Sequence, residues 1–276
     1  MTRRVFLASL ALLLSAAPLL AADGKPINVL IITGDHGHKW QETTPFIKDL
    51  LTKAGMKVEV TEAPAKDLTA DNLSKYDVLF LNYKDTKNGS DATKWSDENK
   101  KAFANAVKGG KGLFVYHHAS SAFTDGSDWS KEFERIIVGG WRKQGHHGKK
   151  HEFTVEIAEA NHPITKGMPA TFAHSIDELY QNSLLFPDCE VLVTSWSDPA
   201  KDPKNTGKHE ASVWVSKYGE GRVCNNALGH DVAAMQDKGF QTLLVRGVEW
   251  AATGDVKTPV PADLKVSTSP PATQPK

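Results

Sequence analysis

Imidazole is the side chain that, near neutral pH, both ligates transition metals and moves protons. In this chain of 276 residues, most of the eleven histidines fall where strand-like segments end. His36 and His38 follow the run Ile27 to Thr33, His117 and His118 follow Leu113 to Tyr116, and His230 follows Gly221 to Asn226. His146 and His147 occupy a polar loop between them. The carboxyl ends of neighbouring parallel strands lie side by side, so groups far apart in sequence can converge on one cleft. A carboxylate such as Glu178 would complete a coordination sphere, and His36, His117, Glu178 and His230 form the candidate set for a divalent ion, zinc or similar. His117, Glu178 and His118 are the candidate catalytic groups. Trp40 and Trp141 adjoin the same loops, and indole stacks on the apolar face of a sugar ring. With Asp35 and Asp231 they form the candidate substrate-binding set, although tryptophans also serve simply to anchor loops. His38, His146 and His147 are second-rank candidates in the same loops.

Spacing alone does not identify the chemistry, because no His-Glu-x-x-His or Cys-x-x-Cys pattern occurs. Nucleophilic acyl transfer is disfavoured. Neither Cys189 nor Cys224 follows a glycine-rich turn, and Ser120-Ser121 lacks a Gly-x-Ser-x-Gly setting. The loop with Gly34 and Gly37 has neither a dinucleotide fingerprint nor a P-loop lysine, so phosphate cradling is unsupported. The 33 basic and 33 acidic residues cancel, which gives no nucleic-acid footprint.

The elements that must position these groups read as a three-layer α/β sandwich around a mostly parallel, flavodoxin-like sheet, with added hairpins in the C-terminal half. Ile27 to Thr33, Met56 to Thr61, Tyr76 to Asn82 and Leu113 to Tyr116 read as strands. The last is an uninterrupted apolar run between glycines and small polar residues, as in a strand buried on both faces. Thr43 to Ala54 has apolar residues at helical spacing, and Asp97 to Val107 is a second helix with Ser96 as its N-cap. Trp129 to Val138 fits a short helix, His151 to Ala158 a strand, and Ile176 to Tyr180 a short extended piece. Glu190 to Trp196, Ala211 to Lys217 and Gly221 to Asn226 are β, the last two joined by a turn at Tyr218 to Gly221, and Gly239 to Ala252 is a closing helix.

The first 22 residues place Arg3-Arg4 before an apolar run ending in Ala21-Ala22, which is the pattern of a signal peptide. A Sec or a twin-arginine signal accounts for it equally, and either implies a periplasmic or extracellular protein without an integral membrane segment after cleavage. Residues 25–255 form one domain, and 256–276, rich in Pro, Ser and Thr, read as a disordered tail. Export would permit a Cys189–Cys224 bridge, but two buried thiols suit a domain of this size better.

In chain order, Ile31 to His38, Gly110 to His117, Gly139-Gly140-Trp141, His162-Pro163-Ile164, Asp177-Glu178-Leu179-Tyr180, Gly219 to Val223, Gly229-His230-Asp231 and Arg246 to Ala251 resemble the trehalose-utilisation (ThuA-like) family. The resemblance covers nearly the whole mature chain. It implies a fold similar to class I glutamine amidotransferases without the cysteine nucleophile, and a role in using trehalose or related glycosides through keto-sugar intermediates. It does not fix a reaction. The expectation is therefore an exported, metal-assisted enzyme on a glycoside or keto-sugar, with a small carbohydrate as its partner. The alternative is a non-catalytic carbohydrate-binding or scaffold protein on the same fold.

Overall fold

The computed structural model describes residues 25–264 and 266–267, so the leader expected at 1–22 lies outside it. The strands are β1 (Asn28–Ile32), β2 (Lys57–Thr61), β3 (Val78–Leu81), β4 (Gly112–Tyr116), β5 (His146–His147), β6 (His151–Ile157), β7 (Thr171–Asp177), β8 (Tyr180–Gln181), β9 (Glu190–Trp196), β10 (His209–Tyr218) and β11 (Gly221–Asn226). The helices are α1 (Trp40–Lys53), α2 (Pro64–Asp67), α3 (Ala70–Leu73), α4 (Asp97–Lys108), α5 (Asp128–Ile136) and α6 (Lys238–Thr253).

One nine-stranded sheet runs in the order β2-β1-β3-β4-β11-β10-β9-β6-β7, while β5 and β8 pair as a separate ribbon. From β2 to β11 every pairing is parallel. From β11 to β7 every pairing is antiparallel. The parallel half has the flavodoxin-like order, which reverses at β1 and opens a crevice beyond the carboxyl ends of β1 and β3. Burial on both faces explains the apolar runs. Val29, Ile31, Phe80, Phe114 and Tyr116 pack with Ile47 and Leu51 of α1 and with Phe240, Leu244 and Val248 of α6. Their neighbours Leu30, Ile32, Leu79, Leu81, Leu113 and Val115 pack on the opposite side with Phe103 of α4 and Phe133 of α5.

Local chemistry fixes the start of α4. Ser96 Oγ accepts the Asn99 amide at 3.2 Å and Asn99 Oδ1 accepts the Ser96 amide at 2.9 Å, a reciprocal cap at the head of α4. Helix α6 lies directly on the sheet at Gly247, where an added Cβ would come within 2.6 Å of the Phe114 ring and 3.1 Å of Cys224 Sγ. Gly247→Ala is therefore expected to destabilise the fold by about 1–3 kcal/mol through overpacking. Urea unfolding would show this as a lower midpoint at unchanged slope.

Three features depart from the sequence reading. The extended piece expected at Ile176 to Tyr180 is divided: Ile176 and Asp177 end a longer strand, Thr171–Asp177, and Tyr180 opens β8. The alternation of the longer strand is hidden because buried His174 and Asp177 pair with each other. The single-turn helices α2 and α3 fill the link from β2 to β3, and Thr69 Oγ1 caps the second by accepting the Asn72 amide. Disorder from residue 256 onward needs correction for the described part. Val256, Val260 and Leu264 pack on the core, Glu249 accepts the amides of Lys257 and Thr258, and Val266 bridges to Phe172. Cys189 and Cys224 are free thiols, and among the described residues no helix is long and apolar enough to cross a membrane.

Candidate functional site

The loop after β1 supplies His36 and His38. His36 Nδ1 accepts the His38 amide at 2.9 Å, so the first imidazole turns the loop and the second is presented beyond it. Gly37 permits this, since a Cβ there would stand 3.0 Å from His118 Nε2. Asp35 Oδ2 and Oδ1 accept the Thr86 amide at 2.8 Å and its hydroxyl at 2.6 Å, clasping this loop to the one after β3.

His117 follows β4 and opens a 3-10 turn at φ 45°, a left-handed conformation that costs a non-glycine residue about 1–2 kcal/mol. The break points the ring off the strand. Its Nδ1–H donates to the Ala227 carbonyl at 2.6 Å, which fixes the tautomer and leaves the Nε2 lone pair 3.7 Å from Glu178 Oε2. Tyr180 packs against the same ring, tilted by 30°, at 4.3 Å between centroids. Glu178 follows β7, and His230 follows β11 with Nδ1 2.9 Å from Glu178 Oε2.

One donor atom each from His38, His117, Glu178 and His230 all fall within 4.8 Å of one another. Donors about 2.1 Å from one ion stand about 3–4.2 Å apart, so a small inward movement suffices. His117 Nε2 and His230 Nδ1 are buried and make no well-aligned hydrogen bond, although Glu178 Oε2 lies 3.7 Å and 2.9 Å from them, an arrangement in which these lone pairs and the carboxylate can face one ion. Three imidazoles and one carboxylate are a donor set that suits a divalent cation. These residues fit a metal ion.

The electrostatics keep His38 neutral and Glu178 ionised. Burial, and then the neighbouring His118 and His117, push His36 well below its ordinary 6.5, and burial with His117 does the same to His38. Burial and His117 bring His118 down to about 3. Burial alone would raise Glu178, but the His117 and His230 rings beside it outweigh that and hold it ionised. Tyr180 is pushed well above its ordinary value by burial and by Glu178, and stays a phenol.

The structure thus brings His117, Glu178 and His230 of the expected metal set together with His38, while His36 positions His38. His118 stacks on His38 at 4.2 Å and its Nδ1 lies 3.3 Å from the Tyr180 hydroxyl. So weakly basic a ring is better suited to walling the site than to accepting a proton. Trp40 and Asp231 line a cleft of about 720 Å³ onto which His38 and His230 open, within the usual range for a small-molecule site. Trp141 packs edge-on against Tyr180 at 4.5 Å and beside His147 at 5.7 Å. Asp35, placed in the substrate set from its position in the loop, instead spends its carboxylate on Thr86 and is 7% exposed.

Sequence reasoning passed over Asp177, His174 and Lys150. Lys150 Nζ pairs with Asp231 at 2.6 Å on the cleft wall. Asp177 was legible only as an acidic residue beside Glu178.

The fold and the site define an α/β protein with a histidine-carboxylate centre at the carboxyl edge of its parallel strands. The profile of the trehalose-utilisation (ThuA) family matches residues 28–251, and the chain belongs to that family. A ThuA-like protein of Parabacteroides merdae is 31% identical over 89% of this chain and 96% of its own, with a TM-score of 0.76. A second, from Bacteroides uniformis, is 21% identical over 92% and 97%, with a TM-score of 0.63. A cytoplasmic protein of Salmonella typhimurium shares the fold at 14% identity over 82% and 99%, TM-score 0.57. No curated protein sequence matches the chain.

Proposed function

We propose that this chain is an exported, metal-assisted enzyme that acts on a glycoside or keto-sugar. The observation that carries the reading is the convergence of one donor atom each from His38, His117, Glu178 and His230 within 4.8 Å of one another. A bound divalent ion would supply Lewis-acid polarisation of a sugar carbonyl or hydroxyl oxygen. Four protein donors fill a tetrahedral ion, so an ion that accepts five or six ligands leaves room for substrate.

The chain's own groups then have distinct tasks. Trp40, at the cleft, offers a face for a sugar ring, and the Lys150–Asp231 pair offers a donor and an acceptor for hydroxyls. His147 Nδ1 lies 2.7 Å from the Gly148 carbonyl, so its Nε2 faces Glu178 Oε1 at 3.6 Å. Half-buried, His147 can exchange protons with water and is the proton carrier of this reading. Export rests on Arg3-Arg4 and the apolar run that follows them.

Elemental analysis of the purified mature protein, followed by a screen of glycosides and keto-glycosides with and without chelator, tests the reading. About one equivalent of transition metal and chelator-sensitive turnover are expected. A protein that neither contains nor binds a metal, and turns over none of these sugars, sinks it. Once a substrate is found, Trp40→Ala is expected to raise KM about tenfold at similar kcat, from loss of a stacking contact of about 1.5 kcal/mol.

A further inference from the structure

Asp177 is the last residue of β7 and is fully buried. Its carboxylate accepts four hydrogen bonds. Oδ1 takes the amides of Glu178 at 2.8 Å and His230 at 2.9 Å, while Oδ2 takes the amide of Gly229 at 2.6 Å and His174 Nε2–H at 2.8 Å. Two of those donors are the backbones of candidate metal ligands, and the third immediately precedes one.

The sheet cannot supply this connection. β7 is the outermost strand and is separated from β11 by β10, β9 and β6, so no ladder hydrogen bond ties the end carrying Glu178 to the end carrying His230. Gly229 is held close on its other side, since a Cβ there would meet the Phe240 ring at 2.5 Å. His174 supplies the countercharge and also reaches Asp237, at the start of α6, 3.0 Å from its Nδ1. A carboxylate suits this place because all four partners are donors, and an amide side chain would turn one donor against another.

We propose that Asp177 is the positioning residue that sets the distance between Glu178 and His230. The link stands on its own geometry, and its effect on metal binding rests on the function proposed above. The test is Asp177→Asn in the full mature chain, read by Co²⁺ titration and by amide hydrogen exchange without metal. The expected result is a Co²⁺ affinity lower by about tenfold to a hundredfold, the usual cost of losing an outer partner of a metal ligand. Exchange should accelerate at Glu178, Gly229 and His230 while the far-UV spectrum stays unchanged. Wild-type affinity with unchanged exchange at those three amides would overturn the proposal. If the wild type binds no Co²⁺ yet the three amides exchange faster in the variant, the metal reading fails and the positioning role stands. Should Asp177→Asn not fold, His174→Phe keeps the carboxylate and removes one donor. Faster exchange at Gly229, which shares Oδ2 with His174, is then expected, and no change there would overturn the role.

Discussion

His117→Ala is expected to lower metal affinity by about a thousandfold and to abolish turnover. Loss of an outer hydrogen-bond partner costs a site about 10–100-fold, and loss of a donor atom itself should cost more. His117 is the donor least able to be replaced by water or a neighbour. Its ring is 1% exposed, held on one side by the Ala227 carbonyl at 2.6 Å and on the other by Tyr180 at 4.3 Å. The remaining His38, Glu178 and His230 make a three-donor site. Metal content after gel filtration, together with turnover on a substrate found by screening, checks the prediction. A binding protein built on this fold would instead keep most of its sugar affinity in the variant, because Trp40 and the Lys150–Asp231 pair are untouched. Full metal content in folded His117→Ala would remove the centre from the account.

The stability of the chelator-treated protein is expected to peak near pH 6.5 and to fall on both sides, more steeply toward acid. His36, His38 and His118 are neutral in the folded chain because burial and their mutual repulsion oppose protonation. Unfolded, each binds a proton below its ordinary value of 6.5. The unfolded state therefore holds up to three more protons, and stability drops by about 4 kcal/mol per pH unit once that protonation is complete. His174 behaves in the opposite sense. Burial alone would lower it, but Asp177 and Asp237 raise it to about 9. Its contribution is fully present below 6.5 and is lost as pH rises through 9, a fall of about 3 kcal/mol. Denaturant midpoints from pH 5 to 10 would display the asymmetry. Added metal should flatten the acid arm, since it binds the folded donors and competes with protons. A profile flat from pH 5 to 7 without metal would contradict the buried neutral cluster.

The parallel half of the fold was legible because β1, β3 and β4 are buried on both faces and so read as continuous apolar runs. The capped start of α4 was equally plain from Ser96. Strand β7 was not, because its buried positions include His174 and Asp177, whose burial depends on partners that no local pattern reveals. The tail misled for a related reason. Its composition is that of a disordered segment, yet Val256, Val260 and Leu264 find apolar surface on the body.

The sequence by itself showed which chemistry to look for: histidines at the ends of strand-like segments and a carboxylate in a short acidic motif, without a nucleophile-elbow or phosphate-loop pattern. It also carried the family, through short motifs in a fixed order. Only the tertiary structure decided that His38, and not His36, joins His117, Glu178 and His230. That choice depends on a hydrogen bond from the His38 amide to His36 Nδ1 and on the room left by Gly37, both set by how the loop folds onto β4. Only the tertiary structure, too, brought the end of β7 beside that of β11, because Asp177 and Gly229, whose amide it accepts, are 52 residues apart. Residue type is a local property, whereas the meeting of lone pairs at one point depends on every turn between them.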